Sequence, residues 1–244
     1  MAPKLQRLRE AKPLLDVWTF DLSADRVEVE RLMALLSREE RERGGRFINP
    51  EHADWFYVAH GRVRELLASY LDIPPQEIAF TRAKHGKPRI STTGVEIFFN
   101  LSHSDSIASV VVATAEVGID LEHVKRLINP AEAEGALAPG ERQALAAFEG
   151  RARLEAFYRC WTRKEALIKA IGSGLRTPLE SFEVPVTSEP EANVSFDLSA
   201  TQSPASWRVV SFEPCPEVVG AVAIPRDPTI DRAGICWRTW PEVR

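Results

Sequence analysis

Cysteine is scarce in this chain. The three present, Cys160, Cys215 and Cys236, form no CxxC pair. An odd, scattered set reads as reduced thiols, so a cytoplasmic setting is expected and a disulfide framework is not. Cys/His zinc spacings and HxxxH are missing, which argues against a zinc site of the usual kinds. No apolar run is long enough to span a bilayer, so no membrane partner is expected. The opening MAPKLQRLREAK has no apolar core, so no secretory signal is expected there. The net charge is only -4. That balance argues against nucleic acid as a partner, although it leaves room for a local basic pocket. GxxxxGK[ST], GxGxxG after a strand and GxSxG are also absent, which removes the P-loop, the dinucleotide fingerprint and the hydrolase elbow.

What is there is ordinary for a globular protein, 44% apolar and 27% charged over 244 residues. That length suits one large domain or two intimate halves. The most informative stretch is FYRCWTRKEALIKAIGSGL, residues 157–175. Phe157, Cys160, Trp161, Leu167, Ile168 and Ile171 recur at helical spacing and should face a core. Lys164 falls where the period calls for an apolar residue. Glu165 lies on the stripe's edge with Lys169 four residues on, and Gly172 and Gly174 end the helix. Charges set into a buried helix need a partner, a metal or a ligand. A Glu165–Lys169 salt bridge on a solvated face is the plainer alternative.

The rest of the chain reads as α+β. Residues 1–16 form a polar leader, and a first strand covers 17–22. Amphipathic helices cover 29–36 and 55–71, and between them Ser37, with Glu40 three residues on, opens a helix as a capping box. Further strands are expected at 78–80, 95–101, 107–115 and 117–122, with Ser102 to Asp105 turning between two of them. A short helix near 139–148 precedes the central one, and strands follow at 181–186, 194–198, 207–212 and 218–224, with GICWRTW as one more. VWTFDL (17–22) resembles VGIDLE (117–122), and each is followed about 35 residues later by a similar helix, FYVAHGRVRELL and FYRCWTRKEALI. Two related halves, 17–115 and 116–244, would explain that repeat.

In a strand, Val117, Ile119 and Leu121 share one face and Asp120 and Glu122 the other. Adjacent carboxylates repel unless a cation sits between them, and a hard divalent ion with oxygen ligands fits. A solvated acidic edge fits as well. Arg82, Lys84 and Lys87 form a basic loop with Gly86 and Pro88, suited to phosphate oxygens. His103 could join them or merely cap a turn, and Arg43 and Arg46 could add to the same anion site. Acids for a metal beside cations for phosphates suggest phosphoryl-group chemistry on a diphosphate.

In order and spacing, four motifs resemble those of the 4'-phosphopantetheinyl transferases of the large, Sfp-like type. They are Gly86-Lys87-Pro88, Asn100-x-Ser102-His103, Gly118-Ile119-Asp120-x-Glu122, and Trp161-x-x-Lys164-Glu165-Ala166-x-x-Lys169 followed by Gly172-x-Gly174-Leu175. The resemblance implies a pseudo-twofold pair of similar α/β halves, with antiparallel strands at the C-terminus, acting as a monomer with coenzyme A in the cleft between halves. It implies that Asp120, Glu122 and Glu165 bind Mg²⁺, or Mn²⁺, with the coenzyme's diphosphate. By the same resemblance Lys87, Ser102, His103, Lys164 and Lys169 contact phosphates, with Pro88 in the same segment, and Arg43 holds the 3'-phosphate. Arg82 and Lys84 belong to the same pocket. Asp120, Glu165 and Lys169 would carry catalysis, and an apo acyl or peptidyl carrier protein of fatty-acid, polyketide or nonribosomal-peptide synthesis would be modified on a serine. Trp55 departs from members with an arginine near the start of the first-half helix, which puts one 3'-phosphate contact in doubt. A non-catalytic coenzyme A or carrier-binding module is the alternative, and a metal-dependent hydrolase of nucleotide diphosphates a third reading.

Overall fold

The computed structural model describes residues 14–83, 86–91, 97–125, 130–195, 206–226 and 234–240. The first half runs β1 (Leu15–Asp21), α1 (Arg26–Met33), α2 (Arg38–Gly44), α3 (Pro50–Leu71), β2 (Phe80–Arg82), β3 (Pro88–Ile90), β4 (Phe98–Ser104) and β5 (Ile107–Ala113). The second runs β6 (Gly118–His123), α4 (Pro130–Gly135), α5 (Pro139–Leu145), α6 (Gly150–Ile171), β7 (Glu191–Ser195), β8 (Ser206–Cys215), β9 (Val218–Pro225) and β10 (Cys236–Thr239).

Local chemistry explains the helix ends. Ser37 and Glu40 close a reciprocal capping box, Glu40 N donating to Ser37 Oγ at 3.2 Å and Ser37 N to Glu40 Oε2 at 2.7 Å. Helix α3 begins five residues before the expected Trp55, because Asn49 Oδ1 accepts from Glu51 N at 3.0 Å and Pro50 starts the first turn. That turn is polar and lies on the surface, so hydrophobic period does not announce it. Helix α6 ends where expected, with Gly172 in the left-handed region at φ 72°.

The repeat read in the sequence is a repeat of architecture. One sheet has the order β10-β1-β5-β4 and the other β6-β9-β8-β7. In each, the half's first strand pairs antiparallel with the last strand of a later hairpin, after a helix of 22 residues. Each long helix faces its own core, α3 through Leu66, Leu67 and Leu71 and α6 through Cys160, Leu167 and Ala170. A third core belongs to both halves, with Leu15, Val17 and Val111 meeting Ile119, Val222 and Ile224. Neither half buries its apolar surface alone.

The sheets meet without a backbone ladder between β4 and β6. Asn100 Oδ1 accepts from Ile119 N at 2.9 Å, Ser102 Oγ from Leu121 N at 3.3 Å and Ser104 Oγ from His123 N at 2.9 Å. Alternate residues of a strand share a face, so three consecutive same-face polar side chains of β4 satisfy three alternate amides of β6. This register places Ser102 beside Asp120.

Four sequence expectations shift. Ser102 and His103 lie within β4, and the turn falls at Asp105, φ 49°. Strand β1 starts at Leu15, inside the expected leader, because Asp16 is buried and Tyr70 Oη donates to it at 2.5 Å. Residues 182–186 form no strand. Phe182, Val184 and Val186 are buried alternately, as a strand would bury them, but the Val184 amide is spent on Glu141 Oε1 at 2.7 Å. The tail strand β10, expected with the second half, pairs in parallel with β1 of the first, and Arg238 Nε lies 3.4 Å from Asp16. Among the described residues, no helix is long and apolar enough to cross a membrane.

Candidate active site

Strands β3 and β4, helix α6 and the turn after it border a cleft of about 420 Å³ between the halves. Lys87, Pro88 and Asn100 line it from the first half, and Glu165, Ile168, Lys169, Gly172 and Thr177 to Glu180 from the second. Asp120 sits at the junction, 4% exposed. Its Oδ1 accepts from Lys169 Nζ at 2.5 Å and from Ser102 Oγ at 3.0 Å, and Lys169 also reaches Ser102 Oγ at 3.0 Å. The other oxygen, Oδ2, is buried with no hydrogen-bond partner. A buried carboxylate oxygen left unpaired is costly and marks a position where a ligand or ion is wanted.

Electrostatics point the same way. Burial pushes the Asp120 carboxyl up, against the pull of Lys169. Glu122 is pushed up to about 7 by burial and then by the charge of Asp120, and Glu165 is raised by burial and by Asp120. Three carboxylates that each disfavour ionisation in company are short of positive charge, since one lysine serves all three. His103 is lowered by burial and by the Lys169 charge, so its ring is neutral at pH 7.

The oxygen-only donor set fits a hard divalent cation. It is not preassembled: among the described residues no group of three or more His, Cys, Asp or Glu side chains stands ready to hold a metal. Lys169 supplies the positive charge at Asp120 Oδ1 instead.

The other expected site residues are placed unevenly. Arg43 is exposed at the end of α2, its guanidinium 5.5 Å from the Phe56 ring centroid, and Phe56 stacks on His60 at 3.8 Å. Arg46 is exposed, Arg82 is exposed and 3.7 Å from Glu39, and Lys84 lies outside the described residues. Trp55 stacks on His52 at 5.2 Å.

Lys164 corrects an expectation. It does not reach the cleft. Its side chain is fully buried, its ammonium lies 2.6 Å from Glu141 Oε1 and it donates to the Phe182 carbonyl. The same Glu141 accepts from the Ala138 and Val184 amides. Arg163, also fully buried, donates to Ser211 Oγ and to the carbonyls of Pro185, Thr187 and Glu189. Sequence reasoning missed Glu141 and Arg163. A lysine on an apolar face did demand a partner, but nothing local names an acid 23 residues earlier. Lys164→Ala strands Glu141 without a counter-ion, so chemical denaturation should show a loss of about 3–5 kcal/mol. A variant of undiminished stability that binds coenzyme A poorly would restore the phosphate contact.

Comparison with known proteins agrees with this geometry. Residues 116–223 match the 4'-phosphopantetheinyl transferase superfamily, and residues 21–116 match the family described as 4'-phosphopantetheinyl transferase, N-terminal. The chain is 30% identical over 226 residues to the 4'-phosphopantetheinyl transferase HetI of Nostoc sp., covering 91% of this chain and 92% of that one. It is 30% identical over 187 residues to the 4'-phosphopantetheinyl transferase Sfp of Bacillus subtilis, with 77% and 82% covered. A third relative, the 4'-phosphopantetheinyl transferase gsp of Aneurinibacillus migulanus, is 31% identical over 158 residues, 65% of each chain. The protein is therefore a transferase that moves a phosphopantetheine group. The chain belongs to the 4'-phosphopantetheinyl transferase family, and coenzyme A is its substrate.

Proposed function

We propose that the enzyme transfers 4'-phosphopantetheine from coenzyme A to a serine hydroxyl of an apo acyl or peptidyl carrier protein, releasing adenosine 3',5'-bisphosphate. The reading places it in the cytoplasm as a monomer, with neither nucleic acid nor membrane as partner. The observation that carries it is the buried Asp120–Ser102 pair bonded to Lys169, which with Glu165 lines the cleft between the halves.

Asp120, Glu122 and Glu165 would hold Mg²⁺, or Mn²⁺, together with the diphosphate. The chemistry such an ion would supply there is neutralisation of the phosphate oxygens and of charge developing on them. The remaining work falls to the chain. Glu165, on the cleft wall, would take the proton of the carrier serine. The serine oxygen then attacks the phosphorus that bears the pantetheine arm, and the bond to the adenosine-side phosphate breaks. The Lys169 ammonium would stabilise the departing phosphate. Neutral His103 can donate one hydrogen bond to a phosphate oxygen.

The test is intact-mass analysis of an apo carrier protein incubated with this enzyme, coenzyme A and Mg²⁺. The expected result is a gain of one phosphopantetheine, lost when a chelator is added. No gain on either acyl or peptidyl carriers, with coenzyme A still bound, would instead make the protein a binding module.

A further inference from the structure

The Lys87 ammonium does not point at open cleft. It donates to Glu116 Oε2 at 2.9 Å, to the Val117 carbonyl at 2.9 Å and to the Ala170 carbonyl at 2.7 Å. An ammonium has three N–H groups, so all are spent inside the protein. The side chain is only 7% exposed, although it lines the cleft wall, and a methyl group built on Gly172 would come within 3.3 Å of its Cδ. Burial lowers its pKa and Glu116 raises it again.

What the three bonds connect matters more than their number. Lys87 comes from the first half. Val117 immediately precedes β6, three residues before Asp120, and Ala170 follows Lys169 in the last turn of α6. A cation on a terminal helix carbonyl is favoured by the helix dipole. One lysine thus ties the strand that carries Asp120 and the helix that carries Glu165 and Lys169 to the opposite wall.

We propose that Lys87 is a positioning residue for the transfer, not a phosphate ligand: it sets where β6 and the end of α6 stand relative to the first half. Glu116 is its counter-charge. This rests on the cleft being the coenzyme site.

The experiment compares full-length wild type, Lys87→Met and Glu116→Gln. Three readouts are taken: coenzyme A affinity by calorimetry, kcat at saturating coenzyme, and amide hydrogen exchange over residues 117–121 and 167–173. The inference expects Lys87→Met to lower kcat by about ten-fold or more, because misplacement of reacting groups is penalised steeply. Affinity should change by less than about three-fold, the split that separates positioning from uniform binding. Exchange should quicken in both segments, and Glu116→Gln should move kcat and exchange in the same direction by less.

A phosphate ligand behaves otherwise. Lys87→Met would then weaken coenzyme A about ten-fold or more at near-normal kcat, and Glu116→Gln, by releasing the ammonium, would tighten it. Either result overturns the proposal, as does unchanged exchange. A merely structural lysine would lower the melting temperature and leave kcat alone, which overturns it too. Should Lys87→Met fail to fold, Glu116→Gln decides through the same readouts. Exchange is read whether or not the wild type modifies a carrier, so failure of the functional reading shows separately as a wild type without transfer.

Discussion

Glu165→Gln is expected to cut phosphopantetheine transfer by about 10²–10⁴-fold, the range for loss of a positioned general base, while the protein folds as before. The side chain keeps its shape and loses only its charge and its capacity to take a proton. Its environment makes the second half of the expectation firm. Burial and Asp120 both disfavour the ionised form of Glu165 in the folded state. A carboxyl whose folded pKa lies above its unfolded value binds protons more tightly when folded. It therefore lowers stability as pH rises from the unfolded value through the folded one. Glu122, raised from 4.5 to about 7, acts in the same direction across that interval. A neutral glutamine removes the penalty at position 165, so at pH 8 the variant should melt no lower than wild type and should lose less stability than wild type between pH 5 and 8. Melting curves at those two pH values, beside single-turnover assays on an apo carrier, check both parts. Near-normal transfer would remove Glu165 from the chemistry, and a much lower melting temperature would make it a structural residue.

The acids were legible because their signal is local. Asp120 and Glu122 stand two apart on a strand, and Glu165 and Lys169 four apart on a helix, so spacing alone gathers each pair on a face. The long helices were legible for the same reason. What spacing could not supply is which distant group completes each pair. Lys164 and Lys169 look alike in sequence, five residues apart on one helix, yet one turns inward to Glu141 and the other to Asp120. The destination of the tail was hidden too. Strand β10 is short and exposed along its length, and its place beside β1 is set by Asp16 and Trp18, which meet Arg238 only in the fold. The role of Ser102 depended on its belonging to a strand. A serine read into a turn explains nothing, whereas a serine on β4, flanked at alternate positions by Asn100 and Ser104, becomes the middle rung of the junction between halves.

Gly118→Ala should be the most damaging single methyl among the described glycines. The residue opens β6 and could be taken for a mere spacer before Asp120. Its backbone φ is not in the left-handed region, so conformational freedom is not the reason for glycine here. Close approach is. A methyl carbon at this position would lie 2.9 Å from Ala170 Cα, and closer still to the Ala166 carbonyl oxygen and the Ala170 nitrogen. All three are backbone atoms of α6 and none can swing aside as a side-chain tip would. The strand must back away from the helix, and Ala166 and Ala170, both fully buried, show that the contact is tight from the helix side as well. Backing away costs more than packing. Asp120 is two residues along β6, Glu165 precedes Ala166 and Lys169 precedes Ala170, so a shift between strand and helix spreads the carboxylates and lengthens the 2.5 Å contact between Lys169 and Asp120. Overpacking of a rigid core typically costs 1–3 kcal/mol and occasionally more. With backbone on both sides, a loss of about 3 kcal/mol or more is expected in urea denaturation. Transfer should fall in whatever fraction remains folded. Lowering the temperature until the variant is fully folded separates the two effects: activity per folded molecule should stay depressed if glycine sets the distance between β6 and α6, and should recover fully if the methyl harms stability alone.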